Sequence, residues 1–474
     1  MDRYIETIRS CMVSCASIQP VGRSRTVFAR VRGIERYSSL MARLKIAVIG
    51  VGSFVFGPSI LYQAIVEHRL RDVELALVDV DAEMVALMAD VGRQMARQAD
   101  VQVHISAHTS RQEVLEGADF VICSVARQGF KRYEMDRAII RQYTPGHVHL
   151  ITEFGGIAGI SNSLRQIAMI LELADDMQRY CPGAWLLDIA NPMPRVCQAA
   201  SARGIQTLGF CSVSLQVYGM AWQLLYGEAL PYPFMAARER WDMTTAGLNH
   251  FVWLVDFKEK GTDIDLMPRL RQALADGHTS GNPVSEALAR ETGYLLVPVD
   301  DHTRDFLHPS PSTPTDDEVP PFHGTSDERQ QRIAQLRRVA QGTENFELHN
   351  PSWERPIDVI AALAFNEPTT LHSLDIMNEG QIPNLPRNVF VETPCIVTSE
   401  RVMPQTITLP EAVVPLCQRT AQVTDTIVQS ALQQSRSLVH RAIELDPTVL
   451  DKAAGIRAID ACLDAHSDML PHYS

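Results

Sequence analysis

The sequence has little of three features that would place a protein outside the cytosol or on a nucleic acid. Its nine cysteines are scattered and odd in number, and their spacing shows no disulfide framework, which suits a reducing compartment. No uncharged apolar run is long enough to cross a bilayer. Basic residues are outnumbered, and the net charge of −13 argues against nucleic acid as a partner, because a phosphate backbone demands a basic surface. We therefore expect a cytoplasmic protein whose partners include neither a membrane nor a nucleic acid.

The composition instead predicts a folded protein with more than one domain. The chain has 474 residues, of which 46% are apolar and 21% are charged, so it can bury a large core. Residues 1–40 differ, because arginines outnumber acids there and the first clear strand comes later. A transit-like leader is one interpretation of this segment. We favour a disordered extension, with Met41 as a candidate natural start.

Short apolar strands alternate with amphipathic helices over the first half of the chain. The predicted strands are Lys45–Ile49, Val73–Val78, Phe120–Val125, Trp185–Ile189 and Thr207–Phe210. The predicted helices are Glu83–Met95 and Ser161–Arg179, the second capped by Ser161 or Asn162. This alternation predicts an α/β fold whose first domain, residues 41–212, is a doubly wound parallel sheet of Rossmann type. Strands and helices then mix, which predicts an α+β domain over residues 213–474 with a helical tail at Pro410–Leu445.

A glycine turn follows the first predicted strand. Gly50 and Gly52 would let backbone N–H groups approach a pyrophosphate, and Ser53 and Phe54 continue the same turn. The third glycine of the usual fingerprint would fall where this chain has Val55, so the motif alone is weak.

An acidic residue at the tip of the second predicted strand strengthens the nucleotide interpretation. A carboxylate at Asp79 can bind the ribose 2′-OH of NAD and repel the 2′-phosphate of NADP. Asp81 is a rival for this role. The alternative to NAD binding is a glycine turn in a sheet that binds no nucleotide.

Cys211 and His250 are the candidate metal ligands. A thiolate and an imidazole are good ligands for transition metals. Cys211 follows a predicted strand, at the edge where α/β folds place ligands, and the amide of Asn191 follows another strand at the same edge. An inert buried cysteine and a core histidine remain the alternative on spacing alone.

Five ordered motifs between about Lys45 and Pro394 resemble glycoside hydrolase family 4, the NAD- and metal-dependent glycosidases. They are Gly50-Val51-Gly52-Ser53 with Asp79, Asn191-Pro192-Met193, Gly209-Phe210-Cys211, Gly247-Leu248-Asn249-His250, and Asn378–Pro386 followed by Val391–Pro394. The resemblance implies that Cys211 and His250 bind a divalent metal, usually manganese, beside NAD. It also implies transient oxidation at C3 of a sugar by NAD, loss of the C2 proton to a base, elimination of the glycosidic oxygen and addition of water. The second domain would then resemble that of lactate and malate dehydrogenases and would hold the substrate, the metal and an oligomer interface.

The resemblance implies the remaining site residues as well. The base would be Tyr294, with Asp301 close behind, although Tyr294 could also be an aromatic core residue. The candidate substrate-binding residues are Arg304, Asn191, Asn249 and Asn162. A surface salt bridge would explain Arg304 equally well, and Asn162 could merely cap a helix.

The residue after the metal-binding cysteine departs from the family pattern. Glucosidase- and galactosidase-like members usually have histidine there and phospho-sugar members aspartate or asparagine, whereas this chain has Ser212. A serine hydroxyl is a poor proton donor, so a water relay or another residue would serve as the acid, or the leaving group would need little help.

We expect the substrate to be a small unphosphorylated glycoside, an α-glycoside or a uronide, with a phospho-glycoside as the second choice. A plain NAD-dependent dehydrogenase and a nucleotide-binding regulator that has lost catalysis are the other hypotheses. Because members of the family commonly assemble, the resemblance implies a homodimer or homotetramer.

Overall fold

The computed structural model describes residues 43–53, 56–144, 153–309, 326–347, 354–470 and 472–473. The predictions for residues 1–40 and for Phe54 lie outside these described residues. Within the described ranges, no helix combines the length and the apolar character needed to span a bilayer. The seven cysteines in this part of the chain are free thiols.

Parallel strands form the first half of the sheet, in the order β3-β2-β1-β4-β5-β6. They are β1 (Leu44–Ile49), β2 (Val73–Val78), β3 (His104–His108), β4 (Phe120–Cys123), β5 (Trp185–Asp188) and β6 (Gln206–Gly209). Successive residues of β1 enter two different cores, Ala47 and Ile49 on one side of the sheet and Ile46 and Val48 on the other. The predicted Rossmann-type sheet is therefore confirmed. The edge strand β3 escaped prediction because its sequence has little apolar character.

An antiparallel half continues the same sheet, in the order β6-β10-β11-β7-β8-β9, with β12 beside β11. Its strands are β7 (Trp241–Leu248), β8 (Phe251–Glu259), β9 (Leu296–Val297), β10 (Thr369–Met377), β11 (Phe390–Val397) and β12 (Val402–Pro404). Asp375 of β10 pairs with Gly209 of β6, so paired strands join the two halves. The mixed α+β character predicted for the second half is present, and the boundary between residues 212 and 213 stays a prediction.

Helices cover both faces of the parallel half. One face carries α1 (Phe56–Tyr62), α2 (Ala82–Ala99), α12 (Ser326–Ala340) and α13 (Pro356–Phe365), and a π-helical turn, Gln63–Glu67, extends α1. The other face carries α3 (Gln112–Leu115), α4 (Gly129–Tyr143), α5 (Gly156–Tyr180), α6 (Met193–Ala202), α14 (Val414–Leu432), α15 (Arg436–Leu445) and α16 (Lys452–Ala465). The remaining helices are α7 (Gln216–Tyr226), α8 (Met235–Arg240), α9 (Met267–Ala275), α10 (Pro283–Thr292) and α11 (Asp300–Thr303). The tail predicted as helical thus consists of α14 and α15, and its last helices lie against the parallel half.

Helix α5 begins earlier than predicted, and the predicted caps at Ser161 and Asn162 are wrong. The helix starts at Gly156, so both residues lie within it rather than at its end. The backbone N–H of Gly156 donates to Asp446 Oδ2 at 3.0 Å, and this carboxylate comes from just beyond α15. A cap supplied from 290 positions away leaves no local sequence signal.

Candidate active site

One row of small and acidic residues crosses four paired strands near the junction of the two halves. The strands β6, β10, β11 and β7 contribute Gly209, Asp375, Glu392 and Gly247, each paired with the next. A Cβ atom on Gly209 would lie 2.1 Å from the sulfur of Met193, so a larger residue would not fit there. Strand β6 ends at Gly209, so Cys211 lies just past its carboxyl end, at one edge of the sheet.

The thiol and the imidazole singled out by the sequence lie together at that edge. Cys211 follows β6 by two residues, and His250 lies in the tight turn between β7 and β8. Cys211 Sγ is 3.4 Å from His250 Nε2. His250 has a φ of +59°, in the left-handed region that residues other than glycine rarely adopt. The Ser373 hydroxyl donates to the Cys211 carbonyl oxygen at 3.2 Å, which ties this segment to β10.

Burial controls the protonation of both groups. It lowers the pKa of His250 well below its usual value, and the neighbouring His302 lowers it further, so the imidazole is neutral near pH 7. The ring of His250 packs 4.6 Å from that of Phe154 and 4.8 Å from that of His302, measured between centroids. Burial raises the pKa of the Cys211 thiol, and the charge of Glu354 adds to the rise. A bound cation would instead lower the pKa of the Cys211 thiol, because metal contact deprotonates a thiol.

The number of protein ligands available is small. In the ranges that the structure describes, no three His, Cys, Asp or Glu side chains are grouped so as to hold a metal ion. Cys211 and His250 therefore offer two ligands, one soft and one borderline, and leave the other positions of a cation to non-protein oxygens.

A buried carboxyl pair lies directly behind this site. Asp375 and Glu392 pair across β10 and β11, and neither side chain is exposed. Burial raises the pKa of Glu392 to about 7, and burial together with the charge of Glu392 raises that of Asp375. The pair therefore retains a proton at neutral pH. Asn249 Nδ2 donates to Glu392 Oε2 at 3.2 Å, so the predicted substrate-binding amide is anchored to this pair.

The glycine turn and its acidic partner form one unit at the carboxyl end of β1. The N–H of Gly52 donates to Asp79 Oδ2 at 2.8 Å, and the N–H of Asp81 donates to Asp79 Oδ1 at 3.0 Å. Gly50 adopts a φ of +85°, and the Ser53 hydroxyl accepts a 3.3 Å hydrogen bond from the start of α1. The carboxylate of Asp81 instead caps α2, which separates the roles of the two rivals. Asp79 is thus the carboxylate fixed at the turn.

The two predicted substrate-binding amides Asn191 and Asn162 lie in different environments. Asn191, just past β5, donates from Nδ2 to Glu153 Oε2 at 2.6 Å. Desolvation raises the pKa of Glu153 to about 8 against the opposing hydrogen bond from Asn191, and the charge of Asp305 raises it further. Asn162, by contrast, lies within α5 and is only 1% exposed.

The predicted base and arginine lie on the segment after α10. Arg271 of α9 lies over the ring of Tyr294, 5.3 Å from its centroid, and none of the contacts among the described residues joins Tyr294 to the thiol–imidazole pair. Asp301 is 73% exposed in its side chain and lies 3.8 Å from the guanidinium of Arg304. His302, between them, packs on His250 and brings this segment beside the pair.

Several polar groups at the site escaped sequence reasoning about individual residues. Glu392 lies inside the motif Val391–Pro394, and His302 lies between the candidates Asp301 and Arg304, so attention to polar residues at these positions could have found both. Glu153 lies in a glycine-rich stretch next to Phe154 and carried a weak signal. Glu354 carried none, because it reaches the site only through the packing of α13 and α1.

Together the fold and the site define an α/β enzyme with a dinucleotide-type sheet, whose glycine turn and Cys211 follow the carboxyl ends of parallel strands and whose His250 lies beside Cys211. The model of the family 4 glycosyl hydrolases matches residues 45–225, and the model of their C-terminal domain matches residues 245–449. The chain therefore belongs to glycosyl hydrolase family 4, as the sequence motifs indicated, and is a glycoside-cleaving enzyme.

Relatives and solved structures of this family span nearly the whole chain. The α-galactosidase of Bacillus subtilis (strain 168) is 28% identical over 455 residues, covering 90% of this chain and 99% of the relative. The α-galacturonidase of Thermoanaerobacter italicus (strain DSM 9252 / Ab9) is 26% identical over 443 residues, covering 86% and 92%. A crystal structure of a 6-phospho-α-glucosidase from gut microorganisms, in complex with NAD and Mn²⁺, aligns with a TM-score of 0.74 at 19% identity, covering 91% of this chain and 100% of that one.

Proposed function

We propose that the protein hydrolyses the O-glycosidic bond of a small unphosphorylated glycoside, an α-glycoside or a uronide, with bound NAD and a divalent metal such as Mn²⁺. The observation that carries this proposal is the 3.4 Å approach of Cys211 Sγ to His250 Nε2 at the edge that also holds the glycine turn. The galactosidase and galacturonidase relatives support an unphosphorylated substrate, and a 6-phospho-glycoside is the second choice. A cytoplasmic location and a homodimer or homotetramer belong to the same proposal.

The glycine turn fits NAD. A Cβ atom on Gly52 would lie 2.5 Å from Asp79 Oδ2, so a bare backbone and a fixed carboxylate share this corner. Gly50, Gly52 and Ser53 would hold the pyrophosphate, and Asp79 would accept hydrogen bonds from the ribose hydroxyls. When bound, NAD supplies reversible oxidation of the sugar, which acidifies the C–H bond next to the oxidised carbon.

The thiol and imidazole fit a divalent cation. Both are transition-metal ligands, His250 is held neutral, and the described residues offer no group of three His, Cys, Asp or Glu side chains for a metal. When bound, the cation supplies Lewis-acid stabilisation of negative charge on a substrate oxygen. The hydrogen bond from Asn249 to the buried carboxyl pair holds the turn that presents His250.

The chain's own groups would do the binding and the proton transfer. A phenolate oxygen of Tyr294 or a carboxylate oxygen of Asp301 would remove the C2 proton, and Arg304 would bind an anionic substituent such as the carboxylate of a uronide. Asn191, Asn249 and Asn162 are the amides proposed to orient the sugar. Ser212, next to Cys211, would act at the leaving oxygen, with a partner identified below.

A panel of nitrophenyl glycosides, phosphorylated and plain, with NAD and Mn²⁺ supplied, tests the function. We expect cleavage of a plain glycoside that is lost when EDTA is added and in Cys211→Ala. The matched control is Cys181→Ala, which removes another buried thiol at the end of α5. Full cleavage with EDTA present would refute the proposal, and steady accumulation of NADH would indicate a dehydrogenase instead.

A further inference from the structure

A carboxylate from a distant part of the chain meets the residue that follows the candidate metal-binding cysteine. The Ser212 hydroxyl donates to Glu354 Oε1 at 2.9 Å, and the Ser212 backbone N–H reaches the same oxygen at 3.3 Å. The two residues are 142 positions apart. Both hydrogen bonds end on Oε1 of the carboxyl group.

The main chain at Glu354 and at the residue after it is held by several contacts. Its carbonyl oxygen accepts a 3.0 Å hydrogen bond from Nε2 of Gln63, a buried residue in the π-helical turn after α1. The next residue, Arg355, makes ion pairs with Asp358 and Glu67, both at 2.7 Å. These contacts fix the start of α13 and hold the carboxyl of Glu354 in place beside Ser212, as a preorganised catalytic group requires.

Cys211 and Tyr232 are neighbours of the Glu354 carboxyl group. The charge of Glu354 contributes to the raised pKa of Cys211 after burial, so the carboxyl lies near the thiol. Tyr232 also borders it, and burial raises the pKa of this phenol, with the charges of Glu354 and Cys211 adding to the rise. Tyr232 lies in a turn, and Phe234 packs edge-on against it, with ring centroids 5.3 Å apart.

Elimination from the sugar needs a group that protonates the departing oxygen. A serine hydroxyl cannot do so efficiently, because it gives up its proton only with great difficulty near neutral pH, whereas a carboxyl group is a common general acid. We propose that Glu354 is the proton donor to the leaving group and that Ser212 is its positioning residue. This inference rests on the proposed glycosidase function.

The proton transfer balances as follows. The electron pair of the C2–H bond, freed by the base, forms the C1–C2 double bond, and the C1–O bond breaks with its electrons moving to the glycosidic oxygen. That oxygen takes the proton from the Glu354 carboxyl group and leaves as an alcohol. When water later adds to C1, the Glu354 carboxylate takes a proton from it, and the carboxyl group is regenerated.

The test compares two glycosides of the same sugar and anomer, one with a nitrophenol and one with methanol as its leaving group. A nitrophenolate leaves without help, but methanol needs the proton. We expect Glu354→Gln to lose about 100-fold or more in kcat on the methyl glycoside and less than about 10-fold on the nitrophenyl glycoside. Ser212→Ala should show the same selectivity with a smaller loss. Glu400→Gln, at the exposed turn between β11 and β12, is the matched control and should cleave both substrates normally.

Retained cleavage of the nitrophenyl glycoside by Glu354→Gln also shows that the variant is folded. A second variant, Glu354→Ala, should regain activity on the methyl glycoside when formate is supplied, without a gain on the nitrophenyl glycoside. Equal losses on both substrates, or a selective loss in Glu153→Gln and none in Glu354→Gln, would overturn the assignment of the proton donor while leaving the glycosidase function intact. If the wild-type enzyme cleaved no glycoside of the panel with NAD and Mn²⁺, the function itself would be wrong and the assignment with it.

Discussion

Replacing Gly52 by alanine should weaken NAD binding through Asp79. The new Cβ atom would lie 2.5 Å from Oδ2 and 2.8 Å from Cγ of Asp79, closer than carbon and oxygen can approach. The carboxylate must therefore turn away, and the 2.8 Å hydrogen bond from the Gly52 N–H is lost. A hydrogen bond to a charged group contributes roughly 1.5–3 kcal/mol. If the carboxylate also loses its hydrogen bonds with the ribose, the affinity for NAD should fall about 10- to 100-fold, since about 1.4 kcal/mol corresponds to a factor of ten.

Isothermal titration of NAD into the purified protein, without substrate, measures this effect. Gly183→Ala is the matched control, because a Cβ atom there would meet nothing within 4 Å and the backbone angle is ordinary. The control should bind NAD as the wild type does. An unchanged dissociation constant for Gly52→Ala would refute the reasoning that Asp79 holds the ribose at this turn.

Three further predictions concern other parts of the molecule. Mn²⁺ should raise the melting temperature of the wild type and of Cys181→Ala but not that of Cys211→Ala, as followed by differential scanning fluorimetry; equal shifts in all three proteins would argue against the thiol as a ligand. Asp446→Ala should lower the free energy of unfolding by about 1–3 kcal/mol in urea titrations, since it leaves the buried Gly156 N–H without its acceptor; a change near zero would contradict the capping role. Burial raises the pKa of Asp188 to about 8, far above its value in an unfolded chain, so the folded state holds a proton that the unfolded chain releases. The free energy of unfolding should therefore decline as pH rises from about 4 to 8, and Asp188→Asn should flatten this decline. Parallel pH profiles for the wild type and the variant would exclude this contribution of Asp188.

The parallel half of the fold could be predicted because its signals are local. The apolar run of β1 and the glycines after it lie within nine residues, and β2 ends directly at Asp79. The approach of Cys211 to His250 was inferred from the motifs they occupy rather than from spacing. Their geometry depends on the pairing of β6, β10, β11 and β7, which are far apart in sequence.

The remaining features were hidden because they depend on contacts between distant segments. The cap of α5 comes from Asp446, and the partner of Ser212 comes from Glu354; neither pairing leaves a periodic pattern in the chain. The buried pair of Asp375 and Glu392 likewise arises only when two strands align. Sequence reasoning assigns chemistry to single residues and misses the polar groups that support them.

The packing of helices α14, α15 and α16 determines when the parallel half can complete its folding during synthesis. Helices α14, α15 and α16 supply part of the apolar layer over one face of the parallel sheet, against residues of α4, α5 and α6. During synthesis α4, α5 and α6 emerge from the ribosome well before residues 414–465. Until these residues fold, a broad apolar surface on α4, α5 and α6 stays exposed and can bind chaperones or aggregate. A fragment ending at residue 212 would keep that surface permanently, so the nucleotide-binding half is not expected to survive as a separate soluble module.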